Sequence, residues 1–266
     1  NLEKTYSLVS KWFWYIDERV VSLTNDIKES IDENQKTILN NINISLETWK
    51  IYWIVWRNWA WKSTLMYLLA WFFRNYTWEI LVNDNVCKDF DYESLTNKVS
   101  FLSQEPFSMW WWTTIYDNIT LWVENIDIDK IWHYLKLFWL EKKIKKLKNW
   151  LKEEIWRNIN FSGWETQILA FIRLLLQDKE IIIMDEGTNQ LDAENEVLVM
   201  NELLKQKDKK IIIFITHRMS TISKADVIYC LENGEIKHFW THKELLWKND
   251  NIYATFYKTQ ILHDNV

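Results

Sequence analysis

The sequence predicts an α/β fold: a core built on a parallel sheet, an N-terminal antiparallel β subdomain and an inserted α-helical subdomain. Three observations carry that prediction. An apolar run, IYWIVW from Ile51, passes through a short loop into Lys62-Ser63-Thr64 and a helical pattern, LMYLLA. Hydrophobic runs from Glu180 to Met184, Lys210 to Ile215 and Asp226 to Leu231 alternate with helical segments from Ala193 to Lys205 and from Lys243 to Leu246, as the strands of a parallel sheet do. Between Phe107 and about Leu176 the strand pattern gives way to helical periodicity, through DIDKIWHYLKLF, LEKKIKKLKN and ETQILAFIRLLL.

Taken in order, residues 5–14 (TYSLVSKWFW) can form an edge strand that ends at Tyr15, and residues 37–47 (TILNNINISLE) alternate as a second strand. The acidic stretch between them, roughly Asp17 to Gln35, reads as a surface insertion. Thr48-Trp49-Lys50 is a tight turn into the strand at Ile51. Trp78 to Val82 reads as a short hairpin strand, and Lys98 to Ser103 as a buried strand ending at Gln104. The only proline, Pro106, marks the change of region that comes next. The lysines from Lys142 to Lys148 read as a solvated helix face. Core and β subdomain thus take 1–104 and 177–248, the helical subdomain 105–176, and a C-terminal helix 249–266.

Composition narrows the function classes. A formal charge of −5 with a pI near 5.7 argues against a nucleic-acid partner, which would show a basic face. Cys87 and Cys230 lack ligand spacing and read as free thiols of a reducing compartment. Apolar runs such as IIIFI are too short to span a bilayer, and no signal peptide is visible. A start at Asn1 suggests a soluble domain cut from a longer chain.

Strand, tight loop, Lys-Ser, helix is the layout of a nucleotide-binding P-loop, so the core is expected to be of P-loop NTPase type. The fingerprint G-x-x-x-x-G-K-[ST] has glycine where this chain has Trp56 and Trp61, and one version adds a third glycine at Trp59. Loop backbone must approach phosphates closely and in places adopt φ > 0, which glycine does at least cost; an indole would fill the phosphate site. The chain has 20 Trp and 3 Gly, whereas a usual glycine share of roughly 7% would give about 19. The expectation is that most of these tryptophans are glycines in the native protein, through a codon read differently in the host or through deliberate substitution. Trp49, in its tight turn, is one of them.

Trp56, Arg57, Asn58, Trp59, Ala60, Trp61, Lys62, Ser63 and Thr64 would then line ATP, with Lys62 neutralising the β/γ-phosphates. IIIMDEGT puts Asp185 and Glu186 at the carboxyl edge of the sheet, where open α/β sheets bind ligands. Asp185 would share a Mg²⁺ ion with Ser63, and Glu186 would polarise the attacking water.

FSGWE, residues 161–165, matches the LSGGQ motif of ABC ATPases if Trp164 stands for glycine. With Gln104, Asp192 and His217 in the expected order, the chain from Tyr15 to about Leu246 resembles the nucleotide-binding domain of an ABC transporter. The resemblance implies that Gln104 touches the metal and the water, that Asp192 belongs to the loop after the acid pair, and that His217 contacts the γ-phosphate. It also implies that Ser162, Gly163 and Trp164 face the nucleotide of a second such domain. Two domains would sandwich two ATP molecules head to tail, and hydrolysis would drive an attached membrane-spanning domain at the cytoplasmic face of the membrane.

TTIYDNITLW, EEIWRN and ENGEIKHFWTHKELL are similar to stretches of the exporter branch. Departures accompany the likeness: Glu165 stands for Gln, Gly187 for Ala and Asn189-Gln190 for Ser-Ala, while Tyr15 is the candidate adenine-stacking aromatic. Alternatives are an ABC-type ATPase without transport, acting on ribosomes or DNA, and a catalytically silent subunit if the tryptophans are real.

Overall fold

Ile51–Trp56, an unbroken apolar run, forms the strand on which the sheet is built (β1), and all of its residues are buried. Strands with parallel neighbours on both sides lie in covered sheets, and this one is apolar throughout for that reason. The computed structural model describes residues 42, 44–56, 65, 68–70, 81–82, 85–86, 91–104, 113–121, 123, 125–155, 159, 161–216, 222, 224–233, 235–247, 251, 253–255 and 257–258, with 81–82, 85–86 and 92 as backbone alone. The chain divides into two units, Asn1–Ile42 and Asn43–Val266, and the sheet and its helices belong to the second.

After β1 come a two-stranded antiparallel ribbon of β2 (Leu81–Val82) and β3 (Asn85–Val86), helix α1 (Tyr92–Thr96) and strand β4 (Val99–Leu102). The sheet is completed by β5 (Ile181–Asp185), β6 (Ile211–Ile215), β7 (Val227–Glu232) and β8 (Glu235–Trp240), in the order β4-β5-β6-β1-β7-β8. Pairing is parallel from β4 to β7, and β8 is antiparallel to β7. Asp226 ties the start of β1 to this frame, accepting from Ile51 N at 2.7 Å and from Lys207 Nζ at 2.7 Å.

Between β4 and β5 the described residues in longer regular elements are helical. They form α2 (Ile115–Thr120), α3 (Ile128–Leu137), α4 (Glu141–Lys145) and α5 (Gly163–Leu176). Helix α5 is the hinge of the packing. Its buried Ile168, Phe171 and Ile172 share one core with Ile115, Ile131 and Phe138 of the helical region and with Leu102, Ile182 and Met184 of the sheet. Phe138 meets Phe171 edge to face at 5.6 Å, the geometry that the ring quadrupoles favour. Beyond β5 come α6 (Ala193–Gln206) and α7 (His242–Trp247).

Two elements differ from expectation. Residues 44–47, the described end of the expected strand 37–47, carry no strand. Their backbone is satisfied by tyrosine hydroxyls instead: Ser45 N and O both bond Tyr229 OH, at 3.2 and 2.9 Å, and Glu47 N donates to Tyr52 OH at 2.6 Å. Strand β8 was not expected at all. It returns from β7 through a turn in which Asn233 has φ 52°. The strand expected at 5–14 and the insertion at Asp17–Gln35 lie outside the described residues.

Among the described residues three tryptophans occupy left-handed backbone: Trp49 at φ 75°, Trp139 at 59° and Trp150 at 53°. Trp139 follows α3 in a Schellman turn, with Leu140 N donating to Leu135 O at 2.8 Å and Trp139 N to Lys136 O at 3.1 Å. That turn calls for glycine at the residue after the cap, because a Cβ there crowds the carbonyl. Trp49 is 64% exposed and Trp139 52%, so neither indole gains much burial to offset the strain. Trp49→Gly and Trp139→Gly should each stabilise the protein by about 0.5–1 kcal/mol in urea unfolding, the relief of the left-handed strain exceeding the added freedom of the unfolded chain. A loss of stability in both would show that the indoles are native packing groups.

Candidate active site

Parallel pairing places the carboxyl ends of β4, β5, β6 and β1 at one edge, with Leu102 beside Met184, Asp185 beside Ile215, and Ile215 beside Ile54. Gln104 follows β4 there and is exposed. Asp185 ends β5, and Glu186 follows it. Thr216 follows β6 and leads in sequence to His217. The loop from Arg57 follows β1. Residues 57–64, His217 and Tyr15 lie outside the described residues, so sequence adjacency alone relates them to this edge. Trp53 fastens β6 to β1 close by: its indole stacks on Phe214 at 4.6 Å, and Nε1 donates to Thr216 O at 3.3 Å.

Asp185 and Glu186 are both buried, at 7% and 3% exposure. Glu186 has φ 46°, a left-handed conformation that a glutamate keeps only where its surroundings enforce it. Here they do. Glu186 N donates to Ile215 O at 2.7 Å, Asn189 N to Glu186 O at 3.0 Å, and Asn189 Nδ2 to Glu186 Oε2 at 2.5 Å. Neither acid caps a helix. Asp192 does that for α6, accepting from Asn195 N at 2.8 Å. Gly187 leaves room behind the pair, since a Cβ would fall 2.8 Å from both Leu102 Cδ2 and Met184 Cε.

FSGWE opens α5, with Ser162 as the N-cap in a capping box with Glu165. Ser162 and Gly163 are exposed, and Trp164 packs partly buried against the core. Glu165 Oε2 accepts from Ser162 N at 2.7 Å, Ser162 Oγ at 2.9 Å and Lys143 Nζ at 2.6 Å. Burial alone would raise the pKa of Glu165, but the bonds from Lys143 and Ser162 outweigh it and hold the carboxyl below its ordinary 4.5. The motif also touches the acid loop: a Cβ on Gly163 would lie 2.2 Å from Gln190 Oε1. Buried Gln167 accepts from Gln190 N at 3.2 Å and reaches Glu186 O at 3.5 Å.

Asn189, Gln167 and Lys143 did not emerge from the sequence. Asn189 stands three residues after Glu186 and Gln167 one turn into α5, spacings that carry a signal. Lys143 stands 22 residues from Glu165 and carries none. Two of the three exporter-like stretches, TTIYDNITLW and EEIWRN, meet. Thr114 bridges Glu154, with Ile115 N donating to Glu153 O at 3.0 Å and Ile155 N to Thr113 O at 3.3 Å. Among the described residues no three His, Cys, Asp or Glu side chains converge as a metal cage. The oxygens that Asp185 and Gln104 offer at neighbouring strand ends suit Mg²⁺, which binds few protein oxygens and completes its shell with phosphate and water.

A family model described as ABC transporter matches residues 39–189. The chain is 32% identical over 224 residues to the alpha-hemolysin translocation ATP-binding protein HlyB of Escherichia coli O157:H7, covering 84% of this chain and 31% of that protein. It is 30% identical over 232 residues to the multidrug resistance-like ATP-binding protein MdlB of Buchnera aphidicola, covering 87% of this chain and 39% of that one. The chain therefore spans less than two fifths of the length of these relatives. Among solved structures, a bacterial Atm1-family ABC exporter with ATP bound superposes with a TM-score of 0.76 at 25% identity, covering 85% of this chain and 40% of that chain.

Glu165 gives the site a pH signature. A carboxyl whose folded pKa lies below its unfolded value contributes stability that is present above about pH 4.5 and lost as the pH falls through the folded value. Urea-unfolding free energies of the wild type and Glu165→Gln should therefore differ near pH 6 and converge towards pH 3. A gap that stays constant with pH would refute the ionic role.

Proposed function

The chain belongs to the ABC transporter family, and on that premise we propose that it is the ATP-binding and hydrolysing motor domain of an exporter, acting as a dimer beneath a membrane-spanning domain. One observation carries the reading: the parallel sheet brings Gln104, the Asp185-Glu186 pair and the ends of β6 and β1, which precede His217 and Lys62 in sequence, to a single edge. A chain that merely shared the fold would not need an acid pair at that edge, nor the strained backbone that holds Glu186.

In this mechanism Glu186 polarises the water that attacks the γ-phosphate, and Asn189 keeps its carboxylate from turning away. Lys62 holds the β/γ-phosphates, and His217 contacts the γ-phosphate from the end of β6. Ser63, Asp185 and Gln104 are the residues that would hold Mg²⁺, which when bound neutralises charge developing on the phosphates. Tyr15 is the candidate for the adenine. Ser162, Gly163 and Trp164, at the start of α5, face the nucleotide of the opposite domain, where the backbone N–H groups and the dipole of a 14-residue helix favour an anion. Among the described residues no helix is long and apolar enough to cross a membrane. The domain would sit at the cytoplasmic face of that membrane, and nucleic acid has no part in the reading.

Catalysis depends on Trp56, Trp59 and Trp61 being glycine in the native protein. Left-handed backbone at Trp49, Trp139 and Trp150 supports that reading from outside the loop. Mass spectrometry of tryptic peptides between Lys50 and Lys62, taken from the native host, should give the masses of IYGIVGR and NGAGK, with glycine at position 53 as well as at the three loop positions. Peptides with Trp as written would instead favour a catalytically silent subunit. In the glycine form, Lys62→Ala should abolish ATP binding, and Glu186→Gln should lower the ATPase rate by at least about 100-fold while ATP-bound dimers accumulate on gel filtration. Undiminished turnover in Glu186→Gln would remove it from its assigned role.

A further inference from the structure

FSGWE carries a carboxylate at the helix end that the proposed function reserves for a phosphate. The family pattern has a neutral glutamine at that position. Glu165 is a full negative charge in the first turn of α5, only 8% exposed and bonded to both the backbone N–H and the hydroxyl of Ser162. An anion in that place offsets the positive end of the helix dipole and repels any second anion that approaches Ser162 and Gly163. Unless it is neutralised, the departure from glutamine weakens the function that the rest of the motif serves.

Lys143 supplies the neutralising charge. Its Nζ lies 2.6 Å from Glu165 Oε2, the same oxygen that takes both Ser162 bonds. Phe161, the first residue of the motif, holds the ammonium from another side, with its ring 4.8 Å away. Neighbouring Lys145 is engaged elsewhere, bonded to Glu141 at 2.6 Å and lying 5.3 Å over Trp132. The Lys143 side chain is 34% exposed, half in the wall of the motif and half facing solvent.

We propose that Lys143 is a positioning residue of the nucleotide site: paired with Glu165 it forms a neutral unit that replaces glutamine, and it lets the start of α5 accept the γ-phosphate bound by the opposite domain. The proposal rests on the ATPase reading of the site. The two partners of Lys143 described above, Glu165 and Phe161, belong to the motif, so its effect falls on ATP-driven association of the two domains and spares the chemical step.

The test is steady-state ATPase kinetics on the protein with glycine at positions 56, 59, 61 and 164, comparing Lys143→Met, Lys143→Arg and the double variant Lys143→Met/Glu165→Gln. Lys143→Met should raise the KM for ATP about tenfold and leave kcat within about twofold. Lys143→Arg should stay near the parent. The double variant should return KM to within about threefold of the parent although the lysine is still missing, because no charge is left to neutralise. If Lys143 only propped the helix, kcat would fall with KM and Glu165→Gln would restore neither; that outcome, or an unchanged KM in Lys143→Met, overturns the proposal alone. A parent without ATPase activity overturns the ATPase reading and this proposal with it.

Discussion

Parallel pairing of β4, β5, β6 and β1 is the constraint on which the rest of the structure depends. Parallel neighbours cannot be joined by a tight turn, because the chain must travel back along the sheet before the next strand can begin. Between β4 and β5 the described part of that return is the run of helices α2 to α5, and between β5 and β6 it is α6. The helical region is therefore an enlarged crossover connection. Its last helix, α5, must pack on the sheet to deliver the chain into β5, and this explains why α5 shares a core with Leu102, Ile182 and Met184. A motif at the start of such a helix is held at a fixed distance from the strand end that carries the acids.

The same constraint accounts for where strain is kept. Glu186 must leave β5 and turn at once, with its backbone N–H still paired to Ile215 O and its carboxylate held by Asn189. A left-handed glutamate costs roughly 1–3 kcal/mol, and such residues persist where several contacts fix them. The left-handed tryptophans differ in kind. Trp49 and Trp139 are more than half exposed, and Trp139 sits in a Schellman turn whose two backbone bonds form with any residue there. Nothing around them needs an indole. Strain with a chemical partner marks Glu186, and strain without one marks positions where the backbone calls for glycine.

How much could be read from the sequence depends on the range of each signal. Strands β1, β5 and β6 were legible because a strand between two parallel neighbours is apolar at every residue, and the acid pair was legible because it ends such a run. Helices α3 and α5 followed from their 3.6-residue period. Strand β8 was missed although Asn233-Gly234 is a hairpin signal, because EIKHFW alternates on a half-exposed edge and its polar residues look like a loop. Residues 44–47 were misread because alternation measures side-chain pattern, whereas their backbone partners are Tyr52 and Tyr229. Lys143 was invisible for a different reason: its pairing with Glu165 exists only once α4 is folded against the start of α5.

The contacts between α5 and the acid loop bear on how two nucleotides would communicate in the proposed dimer. In the proposed head-to-tail sandwich the start of α5 would face the partner's ATP, while Glu186 would serve the ATP on its own P-loop. Those two places meet inside one subunit, where Gln190 lies against Gly163 and Gln167 joins Gln190 N to the backbone carbonyl of Glu186. A phosphate docking at Ser162 and Gly163 therefore cannot shift the start of α5 without moving the loop that aims Glu186. Because Gln167 is buried and Gly163 has no side chain to take up slack, the displacement passes through packed atoms and not through solvent. In the proposed dimer this arrangement would couple Glu186 to occupancy of the opposite site, using contacts that lie within a single chain.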